Sequence, residues 1–327
     1  MKRIALQFGA LTLAAAGLAM TGGEALAQAK PEIRIGTGRQ AGTYYRMGAL
    51  IADALVRDQM VKSATAESSS GAIESSRLVD KGTLQIAGMD RFWVQRAAKG
   101  EAPYKKVLKL VTVMPMMRAG IFFVVPQESK VMTVADLKGK RVSVGARGSG
   151  MENHAKLILG AVGLTYKDIK PVYLSFGPGG RAVKDGKADT QLQCCIPNGA
   201  MTQLSELKKV RIVSMDKELK QVMAKQPSYG VYTLKAGAFK GHAKDAKVLG
   251  ILQGWMGSAS MKEETAYIFA KTVLKHLPEM AKKMPQFKET LAMLAEAKTS
   301  GSRDSIEIGA PLHPGSVRAL KESGILK

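Results

Sequence analysis

Apolar and polar positions along this chain follow two periods, and the switches between them mark short strands leading into helices. Ile33 and Ile35 alternate with polar neighbours as a strand. The segment TGRQAG, residues 37–42, follows as a turn. Met47, Leu50, Ile51, Ala54 and Leu55 then recur at i, i+3, i+4, i+7 and i+8, which predicts a helix with one apolar face. Residues 141–162 repeat this order. Val142 and Val144 alternate, GARGSG spans 145–150, and Met151, Ala155, Ile158 and Val162 form a helical stripe. Gly163 stands where a helix C-cap belongs. The stretches VDKGTLQIAGMD (79–90) and AVKDGKADTQLQC (182–194) form a second matching pair. Each reads as a helix end, a glycine stop at Gly82 or Gly186, and a strand.

Two units with similar internal spacing predict two lobes of one architecture. The continuous apolar run IFFVV (121–125) predicts a strand buried on both faces, and VRIVS (210–214) another strand. Met261, Thr265, Ile268, Phe269, Thr272 and Val273 keep helical spacing over residues 261–276, with Pro278 as the expected stop. Residues 284–297 predict a last long helix. Strands alternating with helices predict an α/β fold with mostly parallel sheets, whose ligands bind beyond the carboxyl ends of the strands.

The first 27 residues do not fit this pattern. Lys2 and Arg3 precede an apolar run from Ile4 to Met20, and Ala25-Leu26-Ala27 is a small-residue cleavage site. This is the anatomy of a secretory signal peptide, so residues 28–327 are expected to act outside the cytoplasm as a soluble chain. The formal charge is +22, and +21 once Lys2, Arg3 and Glu24 are removed. The basic residues are spread along the chain, without the motifs of nucleic-acid binders, so nucleic acid is not an expected partner. A solvated basic surface accounts for most of the lysines, and a small anionic ligand is the expected partner. The only cysteines, Cys194 and Cys195, are adjacent. They make no disulfide framework and are expected as buried free thiols, the alternative being a vicinal disulfide in an oxidising compartment. Stability must then come from apolar cores, and a chain of this length usually divides into two.

A strand running into a Gly/Ser/Thr turn and then a helix makes an anion site, because the first helical N–H groups lack intrahelical partners. Thr43 after Gly42, Ser149 between Gly148 and Gly150, and SSSG (68–71) are three such turns. Plain N-capping uses the same residue types and is the competing reading for each. GTGRQA (36–41) also satisfies the dinucleotide fingerprint, but no acidic residue ends a second strand at the required distance, and Glu67, the nearest, sits late. No G-x-S-x-G and no P-loop occurs. His154, His242, His276 and His313 lack metal-ligand spacing and read as structural or surface histidines. Neither a cofactor, a metal nor an enzymatic activity is expected.

The segment TGRQAGTYYRMG (37–48) resembles the T-G-x-x-x-G-x-Y-Y-x-x-G segment of TAXI-type solute-binding proteins of TRAP transporters. DLKGKRVSVGARGSGMENHAKLILGAVGL (136–164), LSFGPGGRAVKDGKAD (174–189) and PLHPGSVRALKESGIL (311–326) resemble further segments of that family in the same order. The resemblance implies a two-lobed, type II-like periplasmic binding protein with a central ligand cleft, working as a monomer. Such a protein delivers a glutamate-like amino acid or small carboxylate to a TRAP membrane permease, driven by an ion gradient. The chain departs from the family in two places. Gly71-Ala72-Ile73-Glu74-Ser75 stands where the family often has G-S-x-x-N, and Arg46 stands where a proline is usual. By resemblance Cys194 and Cys195 fall in a cleft-facing stretch.

Residues 28–118 plus 225–327 are expected to form the first lobe and 119–224 the second. Thr43, Tyr44, Ser70, Gly71 and Asp90 are expected to hold ligand from the first lobe, and Gly148, Ser149, Gly150 and Met151 from the second. Asp90 is read as an acceptor for a ligand ammonium or, equally, as a helix N-cap. Arg118 is the expected carboxylate partner, with Arg39, Arg91 and Arg147 as further candidates. Two alternatives are the binding subunit of an ATP-driven importer and a dinucleotide-dependent oxidoreductase.

Overall fold

The computed structural model describes residues 30–327 apart from residue 41, so the expected signal peptide lies outside the described residues. The predicted repeat is visible in the element order. β1 (Glu32–Gly36), α1 (Thr43–Arg57), β2 (Ser63–Glu67), α2 (Ala72–Asp80), β3 (Ile86–Asp90) and α3 (Arg91–Lys99) form the first unit. After the long strand β4 (Leu110–Pro126), the second unit follows the same plan. It comprises β5 (Arg141–Ser143), α4 (Gly150–Ala161), β6 (Lys170–Val172), α5 (Phe176–Lys184), β7 (Thr190–Cys194) and α6 (Gly199–Leu207). In each unit the first strand lies between the other two and runs parallel to both, in the orders β2-β1-β3 and β6-β5-β7. The glycine stops take the left-handed backbone they were read for, with φ +73° at Gly82 and +66° at Gly186.

The rest of the chain joins the units. β8 (Val210–Ile212), α7 (Asp216–Lys225), β9 (Gly230–Leu234) and β10 (Ala246–Ser258) are followed by α8 (Glu263–Lys283), α9 (Gln286–Ser300) and α10 (Pro314–Glu322). β4 and β10 pair antiparallel, Leu110–Ile121 against Leu249–Ser258, and pass from one lobe to the other. At one end β10 pairs with β3; at the other β4 pairs with β7 and β8, all antiparallel. The sheet is therefore parallel only within each unit, and the buried run 121–125 lies among antiparallel neighbours. The buried apolar residues form one continuous cluster through both lobes rather than two separate cores, because these two strands carry side chains of both.

β9 pairs with the first half of β10, from Ala246 to Gly250, beside the second half of β4. One element end differs from the sequence expectation: helix α8 runs through Pro278 to Lys283. Proline lacks the N–H of one intrahelical bond, but Leu277, Met280 and Ala281 beyond or beside it are buried in the core, and that burial carries the helix onward.

Candidate functional site

The carboxyl ends of the parallel strands of both units face one another across a cavity of about 430 Å³. Helix N-termini from both lobes open onto it. Gly42, Thr43 and Tyr44 come from the start of α1, Ser70, Gly71 and Ala72 from the start of α2, and Asp90 from the end of β3. The second lobe answers with Ser149, Gly150 and Met151 at α4, Phe176 and Gly177 at α5, and Cys194 and Cys195 at the end of β7.

The capping pattern separates the competing readings of these turns. Helices α3, α4 and α6 are capped by side chains: Asp90 accepts from Trp93 N at 3.3 Å, Ser149 from Glu152 N at 3.2 Å, and Asn198 from Met201 N at 2.8 Å. Helices α1, α2 and α5 begin at Gly42, Gly71 and Ser175 with no side-chain cap. Their first-turn N–H groups and the positive ends of their dipoles are thus left for something in the cavity. Thr43, read as a hydroxyl donor of the turn, gives its Oγ1 proton to the Cys195 carbonyl at 2.9 Å across the lobes. Ser70 turns to Glu74, donating from backbone N and Oγ at 2.7 Å each. Those two donors, with Arg39 adding a weaker attraction, hold the Glu74 carboxyl below the usual range despite its partial burial.

Asp90 sits 5% exposed at the cavity and both its oxygens are engaged. Oδ1 caps α3, and Oδ2 lies 3.4 Å from His154 Nε2, whose Nδ1 meets the Tyr229 hydroxyl at 2.5 Å. His154 comes from α4, so this buried chain of polar groups ties the two lobes together. Burial, and then the negative charge of Asp90, push the Tyr44 hydroxyl well above the ordinary phenol range, leaving a neutral donor in the cavity wall. Trp93 of α3 packs directly against Gly150 of α4.

The arginines divide sharply. Arg39 and Arg181, one from each lobe, line the cavity, and neither side chain has a hydrogen-bond or ion-pair partner among the described residues. Arg118 does not line it; the side chain is drawn to Glu296 of α9 instead. Arg147 lies over the Tyr173 ring at 3.7 Å, and Arg91 donates to the carbonyls of Asp304 and Glu307 at 2.7 and 3.1 Å. Gly148 also stays out of the lining: its N–H donates to Glu152 at 2.5 Å, and its φ of +73° shapes the turn. The other eight residues singled out for the site, Thr43, Tyr44, Ser70, Gly71, Asp90, Ser149, Gly150 and Met151, all border the cavity.

The cysteines depart from the expected free thiols: Cys194 and Cys195 are bonded to each other. Both are buried, at 4% and 6% exposure, with side chains on the cavity wall. Gln253 of β10 donates from Nε2 to Cys195 Sγ at 3.1 Å. Sequence reading missed His154, Phe176, Arg181, Ile251 and Gln253. The glycine-rich segment FGPGGR (176–181), the start of α5, resembles the glycine-rich entries of the other helices and carried the signal for Phe176 and Arg181. Nothing local marked Ile251 and Gln253, which reach the site because β10 passes between the lobes.

The profile of the NMT1-like family matches residues 35–324. Among solved structures, a protein from Bordetella bronchiseptica RB50 is similar at a TM-score of 0.50 and 16% identity, over 91% of this chain and 90% of that one. The alkanesulfonate-binding protein from Xanthomonas axonopodis pv. citri, bound to MOPS, is similar at 0.48 and 17%, over 90% and 85% of the two chains. The periplasmic aliphatic sulphonate binding protein from Escherichia coli is similar at 0.47 and 15%, over 90% and 91%. At 16% identity the likeness to the Bordetella bronchiseptica protein is one of fold.

Proposed function

This chain belongs to the NMT1-like family, and from that premise we propose that it is an exported solute-binding subunit that captures a small organic anion, a carboxylate, for a membrane permease. The observation that carries this reading is the pair of arginines Arg39 and Arg181, set on opposite lobes beside the uncapped starts of α1, α2 and α5 and without a hydrogen-bond or ion-pair partner among the described residues. A carboxylate between them accepts charge-assisted hydrogen bonds from both lobes and interacts favourably with three helix dipoles. Each lobe alone supplies half of this environment, so the anion is held best when the lobes are closed. Thr43, Tyr44 and Gly71 contact it from the first lobe, and Gly150 and Met151 from the second. Ser149 and Asp90 keep their helices in place at its edge.

The finer assignment, delivery to a TRAP permease under an ion gradient, is supported by the T-G-x-x-x-G-x-Y-Y segment at 37–45 and the P-L-H-P-G segment at 311–315. A thermal-shift screen of the purified chain tests the reading. The panel holds carboxylates, sulfonates, phosphate, amino acids and NAD. A bound anion at 100 times its Kd stabilises the fold by about 2.7 kcal/mol. A response to NAD alone, or to no anion at all, ends this reading.

A further inference from the structure

The ion-pairing groups occupy only part of the cavity, and the remainder is walled by apolar surface. Tyr44, Met151, Phe176, Ile251 and the bonded Cys194–Cys195 pair line it. A cavity of about 430 Å³ lies within the roughly 300–1,000 Å³ of small-molecule sites and has room beyond a small dicarboxylate. The cations that border it among the described residues are Arg39, Arg181 and, when protonated, His154. His154 is already held by Asp90 and Tyr229, and Asp90 is engaged on both oxygens. A second carboxylate on the ligand would therefore compete with the first for the same two arginines and three helix starts, at a desolvation cost.

The sulfurs matter to this wall. As free thiols, Cys194 and Cys195 would present two S–H donors; bonded, they present polarisable sulfur with no donor, held in place at the end of β7. Sulfur of this kind packs well against the face or edge of an aromatic ring. Phe176 and Tyr44 supply aromatic surface from the two lobes.

Resting on the solute-binding reading above, we propose that the ligand is a monoanion with an aromatic body, and that the vicinal disulfide is a specificity-determining element of the cavity. The anionic head lies between Arg39 and Arg181, and the ring lies against the disulfide, Met151 and Phe176. A glutamate-like ligand, with charges at both ends, is the poorer fit.

Calorimetric titration with phenylacetate, benzenesulfonate, glutarate and glutamate tests this on the full purified chain. The aromatic anions are expected to bind at least about tenfold more tightly than the other two. Glutarate or glutamate binding as tightly overturns the proposal and leaves the solute-binding reading standing; no binding by any of the four, nor by the wider panel, removes both. The disulfide is tested separately with the double variant C194S/C195S and by dithiothreitol on the unaltered chain. Dithiothreitol breaks the S–S bond, delivering two electrons and two protons to give two thiols, and closes to its own cyclic disulfide. Both treatments are expected to weaken phenylacetate at least about fivefold, with glutarate changed less. An unchanged phenylacetate Kd in a folded C194S/C195S chain overturns the role of the disulfide. Should that variant not fold, Phe176→Ser, at a half-buried helix start, gives the same comparison: an unchanged phenylacetate Kd there refutes an aromatic-binding wall.

Discussion

Single side chains decide what this cavity can hold, and the arginines show it best. Arg39 and Arg181 line it with no hydrogen-bond or ion-pair partner among the described residues, whereas Arg118 is spent on Glu296. Hydrogen bonds to charged groups are worth about 1.5–3 kcal/mol, so R39A and R181A are each expected to weaken an anionic ligand by about 10- to 100-fold by calorimetry. R118A is expected to leave Kd within about twofold; a loss there as large as in R39A contradicts the assignment. A carboxylate outside the cavity contributes to acid stability. Asp189 accepts from the Arg141 guanidinium at 2.6 and 3.3 Å and from its backbone N at 2.7 Å. The Arg141 guanidinium, against the opposing effect of partial burial, holds the Asp189 carboxyl below its ordinary value. A carboxyl depressed in the folded state stabilises it fully above its unfolded pKa of about 4, and that contribution is lost as pH falls through the lower folded value. D189N is expected to cost about 1 kcal/mol at pH 7, the pair being partly solvent-screened. Below pH 4 its stability should fall less steeply than that of the unaltered chain, as urea unfolding at pH 7, 4 and 3 will show; parallel curves would refute this.

At the scale of elements, the close approaches rest on particular glycines. α10 lies on α8 at Gly315, where an added Cβ would collide with the Glu263 carbonyl and come within 2.8 Å of Tyr267 N. Both obstacles are helix backbone, which cannot turn aside. G315A is expected to destabilise the chain by about 1–3 kcal/mol, seen as a lower thermal midpoint with ligand affinity little changed. An unshifted midpoint would mean that the two helices separate without cost. The same logic explains which elements were legible in advance. The α1 and α4 stripes and the Gly82 and Gly186 stops are local signals, and the structure carries them where the periodicity put them. Pro278 is a local signal too, but tertiary burial of Leu277 and Met280 outweighs it.

For the whole molecule, the issue is how the two lobes meet. Thr43 with the Cys195 carbonyl, Asp90 with His154, and Gln286 with the Pro197 carbonyl all bridge them. Gly150 faces Trp93 at the same seam, and a Cβ there would stand 2.7 Å from Trp93 Nε1. Gly150 has no special backbone conformation, so G150A is compatible with each lobe by itself and obstructs only their closure. It is expected to weaken ligand binding about tenfold or more; in solution scattering the unaltered chain is expected to contract in radius of gyration when ligand binds, and G150A to prevent this. A G150A chain that contracts and binds like the unaltered one would show that closure does not pass through this contact.

The sequence alone determined the two-unit α/β plan, the glycine turns and eight residues that border the cavity, because hydrophobic period and turn chemistry act between neighbours in the chain. Tertiary structure decided the rest. Gln253 and Ile251 reach the site only because β10 crosses between lobes. His154 becomes a bridge only once α4 meets Asp90 and Tyr229. Cys194 and Cys195 reach the cavity wall, and Arg39 and Arg181 stand out from the other arginines, through packing between residues far apart in the chain. Whether a charge is left free depends on which carboxylate the fold brings to it, and no local pattern carries that information.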